Sequence, residues 1–178
     1  EPRKLLATGV VVVSTSLFML SRLSLDVGFH DFLVVLIIQG GAMGLLFIPL
    51  TTLTNDPIPK ERMGNATSLF NLLRNIGGSI GIATSTTLLA RNAQTHTNVL
   101  VGHVDPYSVA ARTQMQGVAD AFVARGSDAA TAAKQAAGVM FGRVQQQAAM
   151  MSYNDVFQLM GILFASLLLL IPLMRKPR

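Results

Sequence analysis

Residues 32–55 read FLVVLIIQGGAMGLLFIPLTTLTN, with no charge between Asp31 and Asp56. A helix rises about 1.5 Å per residue, so this run is long enough to cross a hydrocarbon core of about 30 Å. Three further stretches share its character. Leu5 to Ser21 carries no charge between Lys4 and Arg22, and Arg22 can snorkel outward to offset a slightly short span. Met63 to Ala90 carries one charge, Arg74, and Val156 to Met174 carries none between Asp155 and Arg175. Four such runs in 178 residues leave too little polar surface for buried helices of a soluble protein.

Composition agrees. The chain is 51% hydrophobic and 13% charged, where a soluble domain carries about 25% charged residues. Disorder is excluded by the apolar content. With no cysteine there is no disulfide framework, no thiolate metal site and no cysteine nucleophile. The net charge of +5 comes from Lys and Arg at the ends of apolar runs and along one polar stretch. No basic cluster is interleaved with aromatics, so the charge fits membrane topology and no nucleic-acid partner is expected. The chain opens Glu1-Pro2-Arg3-Lys4, without Met or a cleavable signal pattern, and reads as a piece of a longer chain.

The expected organisation is three transmembrane helices in 1–90 (about 5–21, 32–55 and 63–90), a helical hairpin outside the bilayer in 91–155, and a last span with its tail in 156–178. Within the hairpin, Asp105-Pro106 predicts an N-cap with Pro at the first helical position. Met115, Val118, Ala119, Phe122 and Val123 share one helical face, and Arg125-Gly126 predicts a stop. Ser127 is the expected cap of a second helix with an apolar stripe of Ala133, Ala137, Met140, Phe141, Val144, Ala148 and Met151. This helix is open to running through Tyr153 into the last span, and its Ala-rich face to lying on lipid headgroups.

Charge bias sets orientation. Arg3 and Lys4, Lys60 and Arg62, and Arg175, Lys176 and Arg178 share one side, predicted cytoplasmic. The opposite short loop sets Arg22 against Asp26 and Asp31, and long loops cross largely regardless of charge. Both termini are predicted inside and the 91–155 loop outside.

No catalytic constellation is present. His30, His96 and His103 fall outside the spans, no span holds a carboxylate, and the serines lack a base. No enzyme activity, metal or cofactor is therefore expected. The informative run is GNATSLFNLLRNIGGSIGIA, residues 64–83. Asn71, Arg74 and Asn75 share a face by three-and-four spacing. From Arg62 to Arg74 is about 18 Å of helix, which puts Arg74 near mid-bilayer. A charge there must face protein or water, as a helix clamp on neighbouring carbonyls or as part of a substrate path. Gly77, Gly78, Ser79 and Gly81 offer a small-residue surface for close helix contact, repeated on the second span by Gly40 and Gly44. Gln39 is a polar group that can line a cavity or bond across helices, and Pro49 is expected to kink its helix.

The Arg-Asn-Ile-Gly-Gly-Ser-Ile-Gly core at 74–81 resembles the penultimate span of the fourteen-span drug:proton antiporters of the major facilitator superfamily, the EmrB/QacA type. The run from Gln39 to Gly44 followed by Phe47-Ile48-Pro49-Leu50 is similar to the preceding span. Tyr153-Asn154-Asp155-Val156-Phe157 after a long outer loop is similar to the start of the last. The resemblance implies an all-α integral membrane fold, a helix-bundle fragment holding spans eleven to fourteen. It implies multidrug efflux of amphipathic, often cationic, compounds by alternating access, driven by the proton gradient, in the bacterial inner membrane. The implied partners are the preceding spans of the same transporter, the lipid bilayer and small amphipathic drugs, with a periplasmic adaptor protein for some Gram-negative members. The carboxylate that proton coupling requires is absent from these spans. Export of a specific metabolite or siderophore, and a non-transporting membrane scaffold, are the competing expectations.

Overall fold

The computed structural model describes residues 2–55, 58–103 and 108–171. Among them the chain is all-helical: α1 (Pro2–Leu20), α2 (Phe29–Asn55), a 3-10 turn (Lys60–Arg62), α3 (Met63–His103), α4 (Val109–Val123) and α5 (Ala129–Leu167). Two stretches are long and apolar enough to cross a membrane, Arg3–Leu20 and Phe29–Thr52. Among the described residues two of the four expected spans meet this measure, and the last expected span, 156–174, lies partly outside them. The first part of α3 is diluted by Asn65, Asn71, Arg74 and Asn75, and α5 ends at Leu167, twelve residues into the expected last span. The helices divide into two units, one of residues 1–87 with 153–178, the other of residues 88–152.

The first unit is organised by α1. Leu6, Val10, Val13, Leu17 and Leu20 are buried at alternating spacings of four and three, the seam of a helix packed at a shallow crossing angle. Val13, Leu17 and Ala42 form its core, with Val12, Leu46, Phe157, Met160 and Phe164 against them. At Gly9 the backbones of α1 and α2 meet: a Cβ there would stand 3.1 Å from the Leu45 carbonyl carbon and 3.2 Å from its oxygen. Leu45 is the residue four before Pro49. Proline has no N–H to give that carbonyl, so α1 approaches α2 where α2 lacks a backbone donor. The helix continues through Pro49 to Asn55. Thr51 and Thr52 hydroxyls donate to the Phe47 and Ile48 carbonyls at 2.9–3.0 Å, which turns their polarity back onto their own helix. A second close approach is Gly161 on α5, where a Cβ would lie 3.3 Å from the Phe18 ring.

In the second unit, Ser108 caps α4, its Oγ accepting from the Ala111 amide at 3.3 Å. The expected cap, Asp105 with Pro106, lies outside the described residues, and the helix start falls at Val109. The stop at Arg125-Gly126 is as expected. Gly126 takes φ +97°, its amide reaches the Val123 carbonyl and the Ser127 amide reaches that of Phe122, the paired bonds of a Schellman turn. The cap of α5 is Asp128 instead of Ser127. Asp128 Oδ1 accepts from the Ala130 and Thr131 amides, both at 3.1 Å, while Ser127 donates to Gln135. A carboxylate placed one residue nearer the helix reaches both amides. Hydrogen bonds from the Thr131 hydroxyl, then from the Thr131 and Ala130 amides, hold the Asp128 carboxyl below its ordinary range.

Two expectations about this unit change, and one alternative left open by the sequence is realised. α3 does not end at Ala90 but runs to His103. The second hairpin helix does continue through Tyr153, as α5. Its buried face agrees with the expected stripe only in part: Ala148 is buried as expected, together with Ala132, Ala136 and Ser152, while Ala133, Ala137 and Phe141 are exposed. Small side chains permit the closest helix approach, so the contact follows Ala and Ser over the bulkier Phe141.

Candidate functional site on the second and third helices

The site is built on α2 and α3 within the first unit. From Asn71 to Thr84 every residue of α3 is exposed. Ser79 on this stretch and Ser85 just beyond it turn their hydroxyls back to their own helix: Ser79 donates to the Asn75 carbonyl at 2.9 Å, and Ser85 to that of Gly81 at 2.7 Å. Their polarity is thereby spent internally. Asn71 and Asn75 make no side-chain hydrogen bond among the described residues, so two amides stand on this face with unused donors and acceptors.

Arg74, between them, has one contact. Its guanidinium carbon lies 5.1 Å from the centroid of the Phe47 ring on α2. This is cation–π distance, and the plane of a guanidinium suits it better than an ammonium. The clamp on neighbouring carbonyls is not formed among the described residues. Phe47 enters the sequence reading only within the run Phe47-Ile48-Pro49-Leu50, not as a site residue. The available signal was an aromatic two residues before a helical proline, on the span next to the one that carries the lone charge.

Phe47 joins Arg74 to a second feature. Together with Leu6, Val10, Met43, Leu46 and Phe164 it lines a cavity of about 430 Å³ whose wall is wholly apolar. That volume falls in the range of small-ligand sites, though such sites also place a few polar groups.

The other predicted residues are not gathered here. Gln39 is half-buried on α2, eight residues or about 12 Å along the helix from Phe47. A Cβ added at Gly40, Gly44, Gly77, Gly78 or Gly81 would meet nothing within 4 Å. The glycines at close contacts between helices are Gly9 and Gly161, neither of which lies in a glycine-rich run.

Comparison with known proteins follows the same segments. The Major Facilitator Superfamily profile matches residues 1–82. The chain is 27% identical over 149 residues to the multidrug export protein EmrB of Haemophilus influenzae, covering 84% of this chain and 28% of that protein. It is 30% identical over 143 residues to the protein of the same name from Escherichia coli, covering 79% and 26%. It is 28% identical over 144 residues to the fatty acid resistance protein FarB of Neisseria gonorrhoeae, covering 78% and 26%. No solved structure matches. The chain thus spans about a quarter of the length of the curated relatives it matches. The chain, all-helical among the described residues and with two membrane-length apolar helices, is thus similar to the Major Facilitator Superfamily over both of them and the start of α3, and to such exporters over most of its length.

Proposed function

We propose that the chain is the C-terminal portion of a proton-driven efflux transporter that exports amphipathic compounds by alternating access. The observation that carries this reading is Arg74. A charge at mid-span costs at least about 2.5–3.5 kcal/mol. A cation–π contact returns about 0.5–2 kcal/mol, so Phe47 alone does not offset it. The remaining donors face outward beside Asn71 and Asn75, which suits a water-filled path or an anion from outside this chain. The names of the relatives, multidrug export protein among them, support the same reading.

In this reading four helices span the membrane: α1, α2, the first part of α3 and the end of α5. Both termini are cytoplasmic and the 91–155 loop is outside. Arg74, Asn71, Asn75 and Gln39 belong to the path or lock its helices, and the glycines of α2 and α3 meet preceding spans of the transporter. Proton coupling falls to a carboxylate outside this chain, since none lies in 32–55, 63–90 or 156–167 and Asp31 sits in the first turn of α2. Topology is checked by thiol labelling of intact cells, because the chain has no cysteine of its own. Ser108→Cys and Ser127→Cys label with an impermeant reagent and Lys60→Cys does not. Labelling of Lys60→Cys in sealed cells overturns the orientation.

Function is tested by drug resistance measured beside membrane abundance. Arg74→Lys loses part of the resistance and Arg74→Ala most of it, on the order of tenfold or more at unchanged abundance. Resistance that falls only with abundance supports the scaffold reading instead. A second cargo is favoured by one pairing of observations: the wholly apolar cavity suits an acyl chain, and one relative is named for fatty acid resistance. Resistance to long-chain fatty acids, assayed beside resistance to cationic dyes in the same strains, separates the two.

A further inference from the structure

Asn154 lies on α5, and its Nδ2 donates to the carbonyl oxygen of Leu23 at 2.9 Å. Leu23 sits in the turn between α1 and α2, 131 positions away in sequence. Chemistry fixes the orientation of the amide. A peptide carbonyl only accepts, so only the NH2 end can face it. The other end, Oδ1, is buried with no partner among the described residues. An acceptor left unpaired in this way is costly, so the side chain is held for its single donor contact.

That contact is of a kind the neighbouring interface lacks. Beyond Asn154, α5 sets Phe157, Met160 and Phe164 against the α1–α2 core and Gly161 against Phe18. These are apolar contacts, which are non-directional and tolerate sliding. The hydroxyls of Thr8, Thr15 and Ser16 on α1 all return to carbonyls of their own helix, so they do not fix how α1 meets a neighbour. A hydrogen bond between helices weakens steeply with a shift of less than 1 Å. The turn that receives it is loosely held by its own bonds, at 3.2 Å from the Arg22 amide and 3.3 Å from the Leu23 amide.

We propose that Asn154 is a positioning residue, a polar latch that fixes the axial register of α5 on α1 by holding the α1–α2 turn. The inference goes beyond the transport reading and does not depend on it. The charged neighbours of the latch in sequence are Arg22 and Asp26 in the turn and Asp155 on α5.

The test reads register directly. Phe18 and Gly161, where the Phe18 ring lies 3.3 Å from a Cβ placed at Gly161, are both replaced by Cys in the chain as its cell makes it. Cross-linking by a short bis-thiol-reactive reagent, which spans the space the ring filled, is then measured in membranes per inserted protein. Three versions are compared: Asn154 retained, Asn154→Ala and Asn154→Asp. Each yield is taken relative to the Asn154 parent at the same pH, which cancels the pH dependence of the thiols. Near neutral pH both variants lose about two- to tenfold in yield, the equilibrium equivalent of one hydrogen bond. An ionised Asp sets acceptor against acceptor, but a protonated one donates. Asn154→Asp therefore recovers to the parent level at about pH 5, where a half-buried carboxyl takes up its proton, and Asn154→Ala does not. Equal yields in all versions overturn the latch, and so does an Asp variant that fails to recover. Because the Asp variant is compared with itself at two pH values, the result holds even where the Ala variant inserts poorly.

Discussion

α1 and the middle of α3 are made of similar residues and meet opposite fates. α1 turns Leu6, Val10, Val13, Leu17 and Leu20 into a buried seam. α3 leaves Leu72, Leu73, Ile76 and Ile80 exposed, Ile80 by 63%. The glycines divide the same way. Gly9 on α1 brings a backbone within 3.2 Å of where its side chain would be, while Gly77, Gly78 and Gly81 look onto open space. An apolar helix without a partner is expected where lipid or another part of the protein supplies the contact. The difference separates a helix that meets its partner within the chain from one whose apolar face is left open, and Arg74, over the Phe47 ring, stands on the open one.

Truncation of the seam breaks this contrast most strongly. Leu17→Ala, in the core beside Val13 and Ala42, should destabilise the chain in detergent by about 2–5 kcal/mol. Leu73→Ala on α3 should stay within about 0.5 kcal/mol, as for an exposed substitution. Thermal unfolding of the two variants measures it. Equal losses would mean that α3 is packed as α1 is.

A smaller effect comes from filling the glycines. Gly9→Val drives side-chain atoms into the Leu45 backbone, which cannot rotate away, and should cost about 1–3 kcal/mol. Gly77→Val should be tolerated by the isolated chain, yet lower resistance in the whole transporter if preceding spans dock there. A Gly77→Val transporter with full resistance would remove that surface from the contact.

Much of the architecture was legible in these residues. The uncharged run at 32–55 needs no partner to declare itself, because helix length and hydrocarbon thickness are fixed quantities. The stop at Gly126 was legible for a similar reason, since its left-handed backbone and two closing bonds are local. Gly9 and Gly161 were not. A close approach depends on the shape of the opposite helix, here the Leu45 carbonyl left without a donor by Pro49 and the ring of Phe18. The buried face of α5 has the same cause: alanines stand on both sides of it, and the neighbouring helix decides which of them are covered. Arg74 was legible as a lone charge, and its partner Phe47 was not, because depth on a neighbouring helix leaves no periodic mark.

The Arg74–Phe47 pair sharpens the comparison at lower cost. Phe47→Leu keeps apolar bulk at the cavity wall and removes the ring face. A double-mutant cycle with Arg74→Gln should return a coupling of about 0.5–2 kcal/mol, read from unfolding in detergent. A coupling near zero would leave Arg74 with no partner inside the chain at all.

The smallest effect belongs to Asp128, the polar member of the satisfied class. Its carboxyl is held below the ordinary range by the Thr131 hydroxyl and the Thr131 and Ala130 amides. A group whose folded-state pKa is depressed lends stability above its unfolded value and loses it as pH falls through the folded one. The start of α5 should therefore keep its amide protection at neutral pH and fray as pH drops below about 4. Asp128→Asn keeps an acceptor for the Ala130 and Thr131 amides but cannot titrate, so its protection should not change over that window. Asp128→Ala should be frayed at every pH, since the cap itself is gone. Hydrogen exchange at residues 129–132 follows this directly, and the effect stays local because the carboxylate is fully exposed and screened by solvent. Protection in Asp128→Asn that falls with acid as steeply as in the parent would place the titrating group elsewhere.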